Sequence, residues 1–176
     1  MLVRSWNLRL RNVKTKVTQI HFSSFRYFQW PFVEPRITIF QKNNMPTQIL
    51  SNRRVSPGGG WNANWDSINA SIPALNNKTI VDLDGTYAFQ DFNLCLLSSA
   101  GKIFLASRNS NQVWSSNLID IETIPAIGNI GPFKDLACAS NNDRGLFICA
   151  VTQDGRIVVI FRYWPNTWQK ITLNVE

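Results

Sequence analysis

The sequence predicts an all-β chain made of about three repeated four-stranded antiparallel units. Three observations predict it. Apolar runs of four to eight residues alternate with Gly, Asn, Asp and Ser turns, and no segment shows a convincing helical period. The second half of the chain repeats itself at an offset of 52–54 residues. Tryptophans at positions 6, 61/65, 114 and 168 punctuate the chain.

The repeat is clearest between the last two units, taken as 69–120 and 121–173. Pro73 matches Pro125 at an offset of 52, and Asp82-Leu83 matches Asp135-Leu136 at 53. Cys95, Gly101, Arg108 and Trp114 match Cys149, Gly155, Arg162 and Trp168, all at 54. The drift places single insertions in loops. The first unit, 17–68, keeps the same grammar more faintly. A strand around Val17–Phe22 leads, "RITIF" and "TQILSNR" follow, Arg53 precedes Arg108 by 55, and Trp61 or Trp65 closes it. Before it, residues 1–16 supply "SWNLRL", an extra strand completing a unit.

In the last unit, strands are expected near 133–139, 145–151, 156–162 and 168–173. The Asp154-Gly155 turn is a strong hairpin signal, because glycine accepts positive φ without a Cβ clash. "PGGG" at 57–60 reads as a flexible connection; a phosphate cradle would need a following Lys-Ser/Thr and a helix.

Four strands at a period near 50 is the spacing of β-propeller blades. One blade cannot bury both faces alone, so each needs a neighbour. Three blades are fewer than a closed propeller uses. The expectation is therefore a partial propeller, its ring closed by a homo-oligomer or by the rest of a longer chain. The alternative is a β-trefoil, which also has three repeats of this length.

Residues 133–171 resemble a blade of the tectonin-like and bacterial fucose-binding lectin propellers. "DLACA", "AVTQDGRIVV", the Arg162 strand and "TWQKI" follow that family's order. Residues 80–118 follow it with losses: "SSAGK" replaces the Thr-x-Asp-Gly turn and "VDLDGTY" replaces the small-residue strand. Residues 17–68 follow it in outline. The resemblance implies a non-catalytic binding module with shallow sugar sites between blades. It makes glycans, fucosylated or methylated, the expected partners, and it implies no cofactor. A scaffold for protein–protein interaction, or a component of a larger toxin or envelope assembly, is the alternative.

A sugar presents an apolar C–H face and a rim of hydroxyls. Trp stacks on the first, and Arg, Asn, Asp and Ser hydrogen-bond the second. The candidate ligand-binding residues are therefore Trp61, Trp65, Arg108, Trp114, Arg162, Trp164 and Trp168. The regular recurrence of Trp114 and Trp168 also suits a packing role. Trp164 is out of register in "YWPN" and Trp65 is a spare beside Trp61, which favours ligand contact. Arg108 and Arg162 share one position in the unit, facing a groove or a neighbouring carboxylate. Asp82 and Asp135 also recur; a glycosidase would need two acids facing each other across a cleft, and no catalytic residue is assigned.

The remaining features mostly exclude. Hydrophobic residues are 44% and charged residues 16%, with seven Trp and eleven Phe, so the chain is globular rather than disordered. No apolar run approaches the roughly 20 residues of a membrane span. No secretory signal is evident, and no location is assigned. The net charge of +7 is uneven: residues 1–54 carry +9 and the rest −2. A basic first third could attract nucleic acid or an anionic surface, but a solvated basic face is the expectation, and nucleic acid is not an expected partner. Its first sixteen residues, "MLVRSWNLRLRNVKTK", also have the acid-poor look of a transit peptide, against which their strand pattern counts. Three cysteines make no disulfide framework and read as buried core thiols; a Cys95–Cys138 or Cys138–Cys149 bridge is the minor alternative. His21 stands alone, so no metal site is expected. The sequons at Asn69 and Asn77 read as chance in an Asn-rich chain.

Overall fold

A computed structural model of the chain describes residues 16–18, 35–41, 48–53, 66–141, 145–163 and 166–174. They form three antiparallel four-stranded sheets. Sheet 1 contains β1 (Lys16–Thr18), β2 (Pro35–Gln41), β3 (Gln48–Arg53) and β4 (Asp66–Ser67). Sheet 2 contains β5 (Ile80–Ala88), β6 (Asp91–Ser98), β7 (Ile103–Arg108) and β8 (Ile119–Asp120). Sheet 3 contains β9 (Phe133–Ser140), β10 (Gly145–Thr152), β11 (Ile157–Tyr163) and β12 (Thr167–Leu173). Each sheet is a meander in chain order, and no sheet closes on itself among the described residues. The closed barrel of a trefoil is therefore not formed there. One α-helical turn, α1 (Ile68–Ser71), and two 3-10 turns, Pro73–Leu75 and Ile121–Thr123, interrupt the all-β pattern among the described residues; the Ser67 hydroxyl caps α1 by accepting the Ala70 N–H at 3.3 Å.

The hairpin turns explain why the repeat survives changes of sequence. In β6–β7, the Ser98 N–H donates to the Lys102 carbonyl and the Gly101 N–H to the Ser98 carbonyl. In β10–β11, Thr152, Arg156 and Gly155 make the same two bonds. Gly101 and Gly155 both sit at positive φ, 74° and 91°. Ser98 Oγ and Thr152 Oγ1 each brace the turn by accepting the N–H four residues on. So "SSAGK" and "TQDGR" build one turn, because it needs only a hydroxyl at the start and a glycine in the left-handed region.

The sheets stack in order. One core cluster joins sheet 2 (Cys95, Leu97, Ile103, Leu105) to sheet 3 (Leu136, Leu146, Ile148, Val158, Ile160). A second joins the other side of sheet 2 (Leu83, Leu94, Leu96, Phe104, Ala106) to Ile49 of sheet 1 and to Ile68, Ile72 and Leu75. Successive residues of a strand point to opposite faces, so Leu94-Cys95-Leu96-Leu97 fills both cores and β6 reads as a continuous apolar run. The first strands of sheets 2 and 3 lie against each other. There Asp84 Oδ2 accepts the Cys138 N–H at 2.7 Å, linking the two sheets.

The outermost strands differ. In sheet 3, Trp168 pairs with Arg162 within the unbroken β12. In sheet 2, Trp114 makes only an isolated bridge to Arg108, and the fourth strand is Ile119–Asp120, pairing Leu105 with Ile119. Two extra residues between Trp114 and Ile119 break the ladder, so Trp114 does not sit in a closing strand as the repeat suggested. Asn69 is 6% exposed, and its side-chain oxygen accepts the Ile49 N–H, which is a structural role. Among the described residues, no helix is long and apolar enough to cross a membrane.

Candidate functional site

Arg108 and Arg162 occupy one register position in two sheets and are held alike. Arg108 lies opposite Phe92 and bridges to Trp114, with its guanidinium 5.4 Å from each ring centre. Arg162 lies opposite Leu146 and Trp168, 5.6 Å from the indole and 5.0 Å from Phe89 of sheet 2. A guanidinium over aromatic faces is stabilised by about 0.5–2 kcal/mol, more as it is desolvated. The decisive difference is exposure. Arg108 is 4% exposed, roofed by Phe92 and Trp114, which meet edge to face at 6.1 Å. Arg162 is half-buried and lines an open cleft of about 570 Å³.

That cleft lies between the connector after β8 and the outer end of sheet 3. Thr123, Ile124, Pro125 and Ala126 form one wall; Arg162, Asn166 and Trp168 form the other. Asp120 anchors the connector by accepting the Glu122 N–H, and Glu122 Oε1 accepts the N–H groups of Ile130 and Gly131. Lys102 pairs with Asp120 at 3.0 Å and lies 3.7 Å from Glu122. On the opposite wall, the Lys170 ammonium donates to the Ile127 carbonyl.

Phe89 reaches Arg162 from a strained turn. Ala88 and Asp91 pair directly, so Phe89 and Gln90 form a two-residue hairpin loop, with φ of 56° and 67°. Asn-Gly normally fills such a loop, and a bulky side chain in the left-handed region costs roughly 1–2 kcal/mol. Burial lowers the Arg162 pKa from its ordinary value, and the Asp91 carboxylate partly restores it. Burial likewise raises Asp91, and the arginine partly offsets this. Arg162 Nε is buried without a hydrogen-bond partner among the described residues. The site thus combines an aromatic wall, a desolvated cation with an unused donor, a nearby carboxylate and the Asn166 amide.

Of the residues singled out from sequence, Arg162 and Trp168 meet in this cleft, while Arg108 and Trp114 are packed together at the equivalent place beside sheet 1. Trp61, Trp65 and Trp164 lie outside the described residues. Sequence reasoning missed Phe89, Asp91, Asn166 and the 123–126 wall. The only signal was the short "AFQD" turn between two apolar runs.

The recurring acids do approach one another, which the sequence did not indicate. Asp135 is close enough to Asp82 to raise its pKa, although burial is the larger cause. Both act as strand braces: Asp82 accepts the Leu83 N–H and Asp135 the Leu136 N–H, at 2.8 and 2.9 Å. Cys95 is buried and Cys138 half-buried, but Cys149 is exposed on the outer side of sheet 3 rather than in a core. No family model, curated protein or solved structure matches the chain.

Proposed function

We propose that this chain is a non-catalytic carbohydrate-binding module of β-propeller type, which takes a sugar in the cleft between sheets 2 and 3. The observation that carries the reading is Arg162, which lines an open cleft beside Trp168, its guanidinium packed against Phe89 and Trp168 and its Nε buried without a partner among the described residues. Trp168, with Ile124 and Pro125 opposite, offers an apolar surface for sugar C–H groups, and Phe89 backs the arginine from outside the cleft. Arg162 and Asn166 offer donors and acceptors for hydroxyls, with the Asp91 carboxylate near enough to Arg162 to support its charge. Stacked four-stranded meanders support the propeller, and the resemblance of 133–171 to lectin blades supports a fucosylated or methylated sugar. The cleft is open, so a single site is weak, and repeated sites would act through avidity.

A glycan array, followed by calorimetric titration of the best hit, tests this. Binding is expected at micromolar to millimolar sugar. Arg162→Ala should abolish it while the chain stays folded, and Arg108→Ala should not abolish it in molecules that remain folded. A blank array at millimolar sugar would remove the lectin reading and leave the protein-interaction scaffold, for which the uncovered side of sheet 3 is the relevant surface.

A further inference from the structure

The stack is finished on one side of sheet 3 and unfinished on the other. Sheet 2 turns Cys95, Leu97, Ile103 and Leu105 toward sheet 3, and all four are at most 1% exposed. The 54-residue repeat puts Cys149, Val151, Ile157 and Val159 at those positions in sheet 3. Cross-strand pairing puts Cys149 opposite Val159 and Val151 opposite Ile157, on one face. Cys149 is exposed and the other three are half-buried. The same chemistry that makes a sealed interface in sheet 2 is thus uncovered in sheet 3.

The uncovered face is more apolar than its covered counterpart. At two positions where sheet 2 has Asn93 and Ser107, sheet 3 has Phe147 and Phe161. Their rings lie 6.3 Å apart, and Tyr163 meets Phe161 at 5.4 Å; these neighbours leave Phe161 only 8% exposed, so the open part of the patch is Tyr163, Cys149 and the outer strand. Ile171 and Leu173 extend the patch at 50% and 52% exposure. Across the described strands, its charged residues are Lys134 and Asp135, both at the inner edge, where a bulge leaves them between the core-facing Phe133 and Leu136. A continuous apolar sheet face of this kind marks an interaction surface rather than ordinary scattered exposure.

We propose that this face is covered by a second copy of the chain, stacked head to tail so that its first sheet continues the order set by sheets 1, 2 and 3. The argument is continuity with an established interface: the repeat places on sheet 3 the residues that sheet 2 buries under its successor. A head-to-tail contact of this type closes into a ring or propagates as a filament. The inference concerns assembly and does not depend on a sugar site.

Sedimentation velocity and the reactivity of Cys149 toward a thiol reagent test it. Cys95 is buried, and a hydrogen bond to Cys95 together with burial pushes the Cys138 thiol far up, so Cys149 is the thiol that answers. The wild-type chain should sediment as a multiple of 20.1 kDa, with Cys149 labelling slowed at least about tenfold relative to a dilute sample. Ile171→Glu and Leu173→Lys change exposed positions, so the fold should survive. Each should weaken self-association by roughly thirtyfold or more, the scale of a central contact, and free Cys149. A 20.1 kDa species at every concentration with freely reacting Cys149 would overturn the proposal, as would an assembly indifferent to both charges. Should either variant unfold, the concentration dependence of Cys149 labelling in the wild-type chain decides alone.

Discussion

Sheets 2 and 3 are two copies of one unit in different surroundings. Sheet 2 has neighbours on both sides, so nearly every residue of β6 is buried and its arginine is sealed under two aromatic rings. Sheet 3 has one neighbouring sheet among the described residues; its arginine lines a cleft and its far side is partly exposed. The repeat sets backbone geometry in both. What each position does depends on whether another sheet lies against it.

The largest expected effect tests this directly. Leu105 is 1% exposed between sheets 2 and 3, and its counterpart Val159 is half-buried on the uncovered face. Leu105→Ala should cost about 2–5 kcal/mol, because a cavity is left in a core that cannot collapse around it. Val159→Ala in the dissociated chain should cost about 1 kcal/mol or less, since less area leaves water. Denaturant unfolding measures both, and equal losses would mean that the two faces are equally covered.

The hairpin glycines sharpen the comparison. Gly101 and Gly155 share a turn and a positive φ, so alanine at either is strained by about 1–2 kcal/mol. A Cβ on Gly101 would also lie 2.6 Å from Pro132 Cβ and 3.0 Å from the Phe133 backbone, whereas one on Gly155 meets nothing within 4 Å. Gly101→Ala should therefore cost about 2–4 kcal/mol, with the excess due to overpacking. Gly155→Ala should stay near the strain alone. Thermal unfolding of the pair separates the turn from its packing, and matching losses would show that Pro132 moves aside freely.

Much of this architecture was legible in the residues, and the failures have physical causes. The four strands of the last unit fall where alternation and Asp154-Gly155 placed them, shifted by a residue or so at their ends. The Arg–Trp pairing recurred at a fixed offset and is a real contact in both sheets. Faces were less legible. An offset of 55 aligns Arg53 with Arg108 and so Ile49 with Phe104, yet Ile49 packs toward sheet 2 while Phe104 looks back toward sheet 1. A one-residue slip reverses every side chain of a strand, and a faint repeat cannot fix that parity. Cys149 sits in an apolar run, but periodicity cannot say which side of a sheet will be covered. Phe89 was invisible because no residue preference places a phenyl ring in the left-handed region.

The two arginines are expected to part company in function. Arg108→Ala should destabilise by about 1–3 kcal/mol, since Phe92 and Trp114 lose a buried cation packed against both. Arg162→Ala should change stability by about 1 kcal/mol or less while removing sugar binding, because the half-buried guanidinium is replaced by solvent. Unfolding curves beside a binding titration read both effects. An Arg162→Ala chain that binds as well as wild type would move the site away from this cleft.

Acid titration gives the smallest and most diagnostic contrast. Burial raises the Asp82 and Asp84 carboxyls of sheet 2 above the usual 3.8, while the Thr152 hydroxyl and then Arg156 hold Asp154 in sheet 3's turn at about 2. The signs are opposite. Between 3.8 and their raised values, the folded Asp82 and Asp84 bind more protons than the unfolded chain does. They therefore destabilise at neutral pH, and that cost is relieved as the pH falls toward 3.8. Asp154 stabilises above 3.8, and its contribution disappears as the pH falls from there through about 2. Asp84→Asn removes one of these titrations and keeps one of the two N–H acceptors used by Gly85 and Cys138. It should cost least near neutral pH, where the ionised Asp84 is itself destabilising, and flatten the gain on acidification toward 3.8. Asp154→Asn should leave that gain intact and flatten the loss below it. Stability measured against pH for the three chains reads out the difference, and an unchanged acid-side gain in Asp84→Asn would mean that Asp84 is solvated and does not join the sheets.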